Sequence, residues 1–400
     1  MSSTVVSSAR RGASCGLTDD DRAVLEAADR FARKELAPLS RRMDDEEWWP
    51  PEAFAQIGAA GFMGATVPPE YGGAGMDLFA SGLVLQAFSR WNPAIAFSYV
   101  AHDNLCVNNI FRNASEAQRR QYLPGLCNGT QIGALGLTEP GAGSDALGSM
   151  RTTARRDGDH FVLNGGKLYI TNGPVADVLL VYAKTAPERG AKGISAFIVE
   201  KHFPGFKVAQ KLVKMGFRGS QTGELVFEDC RVPAANLVGT ENEGVKIVMS
   251  GLDLERAIAG QICVGICERA LQLSVEFAKT RVQFGKPIGS FQMVQALLAE
   301  MYTETEAMKT FVWRTLAEVN ELEIGGGGRG EAHKLTAASI LFAGEACNRV
   351  LNKAVQVHGG GGYIWESEIN RLFRCIKILE IGAGTSEVRK MIIAEELLRG

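Results

Sequence analysis

The apolar residues of this 400-residue chain change their spacing twice, and that double switch restricts the fold more than any other feature. Val24, Leu25, Ala28, Phe31 and Ala32 recur at helical spacing, and residues from about Leu78 to Cys127 keep it. The stretches 160–163, 167–171, 178–183, 194–199, 206–209 and 224–227 then read as short strands. From about Asn242 the helical period returns in long runs, enough for a four-helix bundle. The order α, β, α predicts an α+β protein. Its segments are a disordered stretch 1–16, an N-terminal α-helical domain 17–130, a middle β-domain 131–240 and a C-terminal helical bundle domain 241–400. A chain of this length exceeds what one core serves, which agrees with several sub-domains.

Local signals refine this outline. Thr18 before Asp19, Asp20 and Asp21 marks a helix start, and Pro38 is expected to stop that helix. Asn164-Gly165-Gly166 between two alternating runs predicts a hairpin. Gly325 to Gly328 sit between helical runs and read as a flexible connection rather than a phosphate loop. A formal net charge of -2 argues against nucleic acid as a partner and against a polybasic membrane anchor. No apolar run approaches the roughly 18 residues of a membrane span. The eight cysteines are scattered, with no Cys-x-x-Cys pair, so they read as reduced thiols and no metal site is expected. Cys263 and Cys267 share a helix face and read as packing residues.

The run Gly136-Leu137-Thr138-Glu139-Pro140-Gly141-Ala142-Gly143-Ser144-Asp145-Ala146-Leu147-Gly148 is a loop rich in hydroxyls and bare peptide groups, suited to an anionic or carbonyl-rich ligand. Its order of Thr-Glu-Pro, glycines and Ser-Asp resembles the first signature of the acyl-CoA dehydrogenase family. Gln356-Val357-His358-Gly359-Gly360-Gly361-Gly362-Tyr363, with Glu366 and Arg371, resembles the second. The resemblance covers the chain from about Leu17 onward. It implies that family's three-domain fold, FAD as cofactor, an acyl-CoA substrate, electron-transfer flavoprotein as acceptor and a homotetramer. The compartment it implies is the cytoplasm of a bacterium, or the mitochondrial matrix in a eukaryote.

Desaturating an acyl thioester needs a base for the α-proton, a hydride acceptor and polarisation of the carbonyl, and no side chain accepts hydride. Many family members carry the base in a C-terminal Glu-Gly-Thr loop. The corresponding stretch here is Gly382-Ala383-Gly384-Thr385, with Ala383 at the base position. Leu252-Asp253-Leu254-Glu255-Arg256 instead resembles the isovaleryl-CoA dehydrogenase branch, which implies Glu255 as base and a leucine-catabolism substrate. On its own Glu255 could be a solvated helix charge, but Leu252, Leu254 and Ala257-Ile258-Ala259-Gly260 make its surroundings apolar, where a carboxylate pKa rises. Carbonyl polarisation is implied for the backbone N–H of Ala383.

The resemblance further places Thr138, Ser144, Tyr169, Thr171, Arg281, Gln283, Phe284, Thr385 and Glu387 at FAD. Gln356 and Gly360 are implied at the FAD of a neighbouring subunit. Ser144, Phe97, Ala101, Leu105, Arg256, Ala259 and Gly382 are implied at the substrate. Three departures from the pattern stand out. Tyr169 replaces the usual Trp, Cys375 replaces an acid, and Phe97 and Ala259 replace leucines of the acyl pocket. A methylene or two is worth only about 1–3 kcal/mol of discrimination, so other linear, longer-branched or carrier-bound acyl groups stay open. So do a flavin monooxygenase and a non-catalytic flavin-binding protein on the same fold.

Overall fold

The computed structural model describes residues 16–321 and 329–399, so the expected disordered start up to residue 15 and the connection Gly325 to Gly328 lie outside the described residues. The first helix, α1 (Asp19–Phe31), opens with a reciprocal cap. The Thr18 hydroxyl accepts the Asp21 N–H while the Asp21 carboxylate accepts the N–H of Thr18. Pro38 does not end the helical path as expected. The chain passes through a π-helical turn, Ala32–Leu36, and a tight 3-10 turn, Ala37–Leu39, into Ser40–Asp45. Pro38 lies at the start of the tight turn, where its missing N–H breaks no bond. Next come α2 (Ala53–Ala59), α3 (Leu78–Trp91), α4 (Pro93–Val100), a π-helical stretch Ala101–Asn108, and α5 (Glu116–Cys127).

The strands are β1 (Gly133–Gly136), β2 (Thr153–Asp157), β3 (His160–Thr171), β4 (Val178–Lys184), β5 (Ile194–Glu200), β6 (Phe206–Lys211), β7 (Thr222–Pro233) and β8 (Leu237–Val238). They form one sheet in the order β6-β7-β3-β2-β4-β5-β8, with β1 parallel to β4. The expected hairpin at Asn164-Gly165-Gly166 is instead part of the single strand β3, whose register against β7 shifts there. A Cβ on Gly165 would lie 2.6 Å from the Thr152 hydroxyl, so the glycine serves a bulge and a close approach. The hairpin turn is Gly158-Asp159, which sets Asp157 opposite His160.

The C-terminal part comprises α6 (Gly244–Thr280), α7 (Gln292–Val319), α8 (Glu331–His358), α9 (Glu368–Ile376) and α10 (Ser386–Arg399). Phe54, Phe88 and Tyr99 belong to the same buried cluster as Met308, Leu316 and Val350, so the first helices and the bundle share one core. Alternation splits the sheet. Val178, Leu180 and Tyr182 face Val107, Leu123 and Ile247, while Leu179 and Val181 join Phe161 and Phe197 on the other side. Among the described residues no helix is long and apolar enough to cross a membrane.

Candidate active site

The Gly/Pro-rich loop leaves β1 and lies against β3, where the Leu168 N–H donates to the Thr138 carbonyl at 2.9 Å. This bond sets Thr138 beside Tyr169 and Thr171. Beneath it Lys167 is fully buried and its ammonium donates to Glu139 at 2.8 Å and to the Leu137 carbonyl at 3.1 Å. Glu139 also accepts the N–H groups of Arg151 and Thr152. Both Glu139 oxygens thus accept hydrogen bonds, which helps make a buried ion pair tolerable. Among the described residues the hydroxyls of Thr138, Ser144 and Thr171 have no protein partner, and a Cβ on Gly141 or Gly143 would meet open space. Tyr169, held at φ +62°, is 65% exposed. An exposed aromatic side chain on β3, with unpaired hydroxyls on the same strand and on the loop bonded to it, fits a flavin ring.

Glu255 lies about a third of the way along α6, flanked by buried Leu254, Ala257 and Ile258. Part of its surface remains accessible, as a base awaiting its ligand requires, yet protein surrounds the carboxylate over the range in which desolvation acts. Burial pushes its pKa up to about 7, against the opposing charges of Arg256 and Arg389. Arg256 points inward. Its Nε donates to the Ala383 carbonyl at 3.1 Å and its Nη1 to Asp253 at 3.3 Å, and buried His333 reaches the same Asp253 oxygen at 2.6 Å. Arg389 donates to the carbonyls of Leu379 and Gly382. Arg256, next in sequence to Glu255, thereby ties helix α6 to the loop before α10 that carries Gly382 and Ala383. Ala383 stands at φ +56°, and among the described residues its N–H has no protein acceptor.

Ala259 follows Glu255 by one turn and shares its face of the helix. Ala101 and Leu105 occupy the π-helical stretch, a wide turn often found at functional sites. Phe97 stacks on Phe217 with centroids 4.5 Å apart and planes at 18°. Cys375, where an acid was anticipated, accepts the Phe217 N–H through its sulfur, and burial pushes its thiol up to about 11. The neighbouring Arg374 takes its acid from Asp44 instead. Thr385 accepts the Val388 N–H at the start of α10, and the exposed Glu387 is held below the usual carboxylate range by its own N–H and Thr385.

Arg281, Gln283, Phe284, Gln356 and Gly360 form a second group. Phe277 near the end of α6 stacks on His358 at the end of α8, centroids 4.5 Å apart, which brings together the helix ends that lead into the hairpin 282–287 and carry Gln356. All five are exposed, Phe284 at 92% on the hairpin tip. Arg281 lies 26 residues beyond Glu255, roughly 39 Å along a helix axis, farther than an extended FAD reaches.

Three family models match the chain: acyl-CoA dehydrogenase N-terminal domain over residues 18–130, middle domain over 134–230 and C-terminal domain over 242–398. The chain belongs to the acyl-CoA dehydrogenase family. Mitochondrial isovaleryl-CoA dehydrogenase of Pongo abelii is 43% identical over 382 residues, covering 94% of this chain and 88% of that one. Mitochondrial 2-methylacyl-CoA dehydrogenase of Solanum tuberosum is 41% identical, covering 96% and 92%. The solved butyryl-CoA dehydrogenase of Megasphaera elsdenii superposes with a TM-score of 0.91 at 38% identity, covering 96% and 99%. As an acyl-CoA dehydrogenase the protein is an FAD-dependent oxidoreductase acting on acyl-CoA.

Sequence reasoning overlooked Asp253, His333 and Arg389 as parts of this site. Asp253 and Arg256, three apart in an apolar run, were a readable signal. His333 carried none, because its importance depends on which carboxylate the fold brings to it; Arg389 ends a stretch, Glu380 to Arg389, that resembles the isovaleryl-CoA dehydrogenase branch, but its hold on the Gly382 carbonyl depends on the folded turn.

Proposed function

We propose that the protein dehydrogenates a short branched acyl-CoA, isovaleryl-CoA or a close analogue, to the 2-enoyl-CoA. The observation that carries this reading is Glu255, a carboxylate of raised pKa tied through Arg256 to the loop bearing the unpaired Ala383 N–H. Glu255 removes the α-proton while the Ala383 N–H receives the thioester oxygen, whose charge grows as the proton leaves. Expulsion of water by the bound acyl chain makes the carboxylate more basic still. Thr138, Ser144, Tyr169 and Thr171 hold the flavin ring, and bound FAD supplies acceptance of the β-hydride.

Phe97 supports a short chain. Its ring, stacked on Phe217 with centroids 4.5 Å apart, is bulkier than the leucine the family resemblance implies there. A 2-methyl-branched acyl group is the second reading, favoured by the potato relative. Arg281, Gln283, Phe284, Gln356 and Gly360 serve the FAD of a neighbouring chain, because they lie beyond reach of the site on their own chain. This supports the homotetramer, with electron-transfer flavoprotein as acceptor and leucine catabolism as setting.

Anaerobic titration of the yellow holoenzyme with isovaleryl-CoA tests the reading. Stoichiometric bleaching of flavin absorbance is expected, and Glu255→Gln should abolish it. Bleaching by 2-methylbutyryl-CoA alone moves the assignment to the second reading, and bleaching by neither refutes both.

A further inference from the structure

Two buried guanidinium groups grip the loop that carries Ala383, and they are neutralised differently. Arg256 has Asp253 at 3.3 Å, a carboxylate it shares with His333. Arg389 is only 1% exposed, yet among the described residues no carboxylate lies within ion-pair distance of it. Its Nη1 donates to the Leu379 carbonyl at 2.8 Å and its Nη2 to the Gly382 carbonyl. A buried cation without a contacting anion is destabilising, so its retention calls for a role beyond packing.

The geometry points to Arg389 as a positioning residue that aims and strengthens the Ala383 N–H through the Gly382 carbonyl. This rests on the reading in which that N–H receives the thioester oxygen. The Gly382 carbonyl and the Ala383 N–H are opposite ends of one planar trans peptide, so fixing the oxygen fixes the direction of the hydrogen. A charge-assisted bond at the oxygen also draws density from the nitrogen through amide resonance, which makes the N–H a stronger donor. Arg256 holds the next carbonyl, that of Ala383, and so secures the left-handed turn at φ +56° from the other side. Arg389 touches neither substrate nor flavin in this account. Its charge acts on the Glu255 carboxylate as well as on the peptide that meets the developing negative charge.

The test uses holoenzyme of the wild type, Arg389→Met, Arg389→Lys and Glu255→Gln. Each is measured for FAD content, for kcat and KM with isovaleryl-CoA, and for the absorption band of a bound chromophoric enoyl thioester. That band moves to longer wavelength as the carbonyl is polarised. Arg389→Met is expected to keep FAD and a KM near the wild-type value while losing most of the band shift and roughly tenfold or more in kcat, since deleting one such donor outright costs about 100- to 1,000-fold. Arg389→Lys should fall between. Glu255→Gln should keep the shift and lose turnover; turnover retained there refutes the assignment of the base and leaves the Arg389 comparison intact. An FAD-loaded Met or Lys variant with wild-type band and kcat overturns the proposal, and so does a wild-type complex with no band shift at all. If the Met variant does not fold, the Lys variant decides by the same readouts.

Discussion

Burial raises the pKa of Glu255 to about 7, so its proton occupancy changes across the neutral range. A base works deprotonated, and kcat/KM is therefore expected to climb tenfold per pH unit below about 7 and level off above it. Stability runs the other way. Between the ordinary carboxylate value of 4.5 and about 7 the folded protein holds a proton that the unfolded chain has released, so stability falls as pH rises through that window. Glu255→Gln, which never ionises, should gain up to about 3 kcal/mol on the wild type at pH 8 and nothing at pH 4. Thermal melts of both proteins at the two pH values check the sign. At this scale the sequence carried the base, because an apolar run around a lone glutamate is visible in one dimension. The partners that fix its surroundings have no one-dimensional mark: His333 meets Asp253 from 80 residues away, and Arg389, only 7 residues from Gly382, reaches that carbonyl through the turn of the folded loop.

Strand β3 and the loop after β1 are joined by the buried Lys167–Glu139 pair, with Glu139 also holding the peptides of Arg151 and Thr152. Lys167→Met leaves a buried carboxylate with no cation and should destabilise by about 3–5 kcal/mol, while Lys167→Met with Glu139→Gln recovers much of the loss. Urea midpoints of the single and double variants give the coupling. FAD retention should follow the same order, because the loop carries Thr138 and Ser144. Equal midpoints for the two variants would remove the pair from this role. Elements were legible wherever a local period or a cap set them, as at Thr18 and along β4 and β5. The misread hairpin has a physical cause. Asn-Gly-Gly permits a tight turn, but Thr152 pressing on Gly165 and β7 pairing along both halves of β3 favour a continuous bulged strand. The competing signal Gly158-Asp159 was in the sequence and names the real turn.

The whole molecule leaves large apolar side chains in water: Phe284, Met293, Tyr363 and Leu398 are each more than 80% exposed. On the proposed reading such side chains lie in contacts between subunits of the tetramer. Phe284→Asp is expected to lower the sedimenting mass and strip FAD in parallel; loss of FAD at unchanged mass would confine Phe284 to cofactor binding. The α, β, α order was readable from periodicity, whereas the core common to Phe54, Phe88, Met308 and Val350 joins segments more than 200 residues apart and left no trace in local pattern. Helix α6 carries Glu255 in its first half and leads into Arg281 at its far end. On the proposed reading, damage at the first end silences a chain's own site and damage at the second silences its neighbour's. Two defective alleles of this protein would then fall into separate complementation groups, and a mixed assembly would contain working sites that neither parent has.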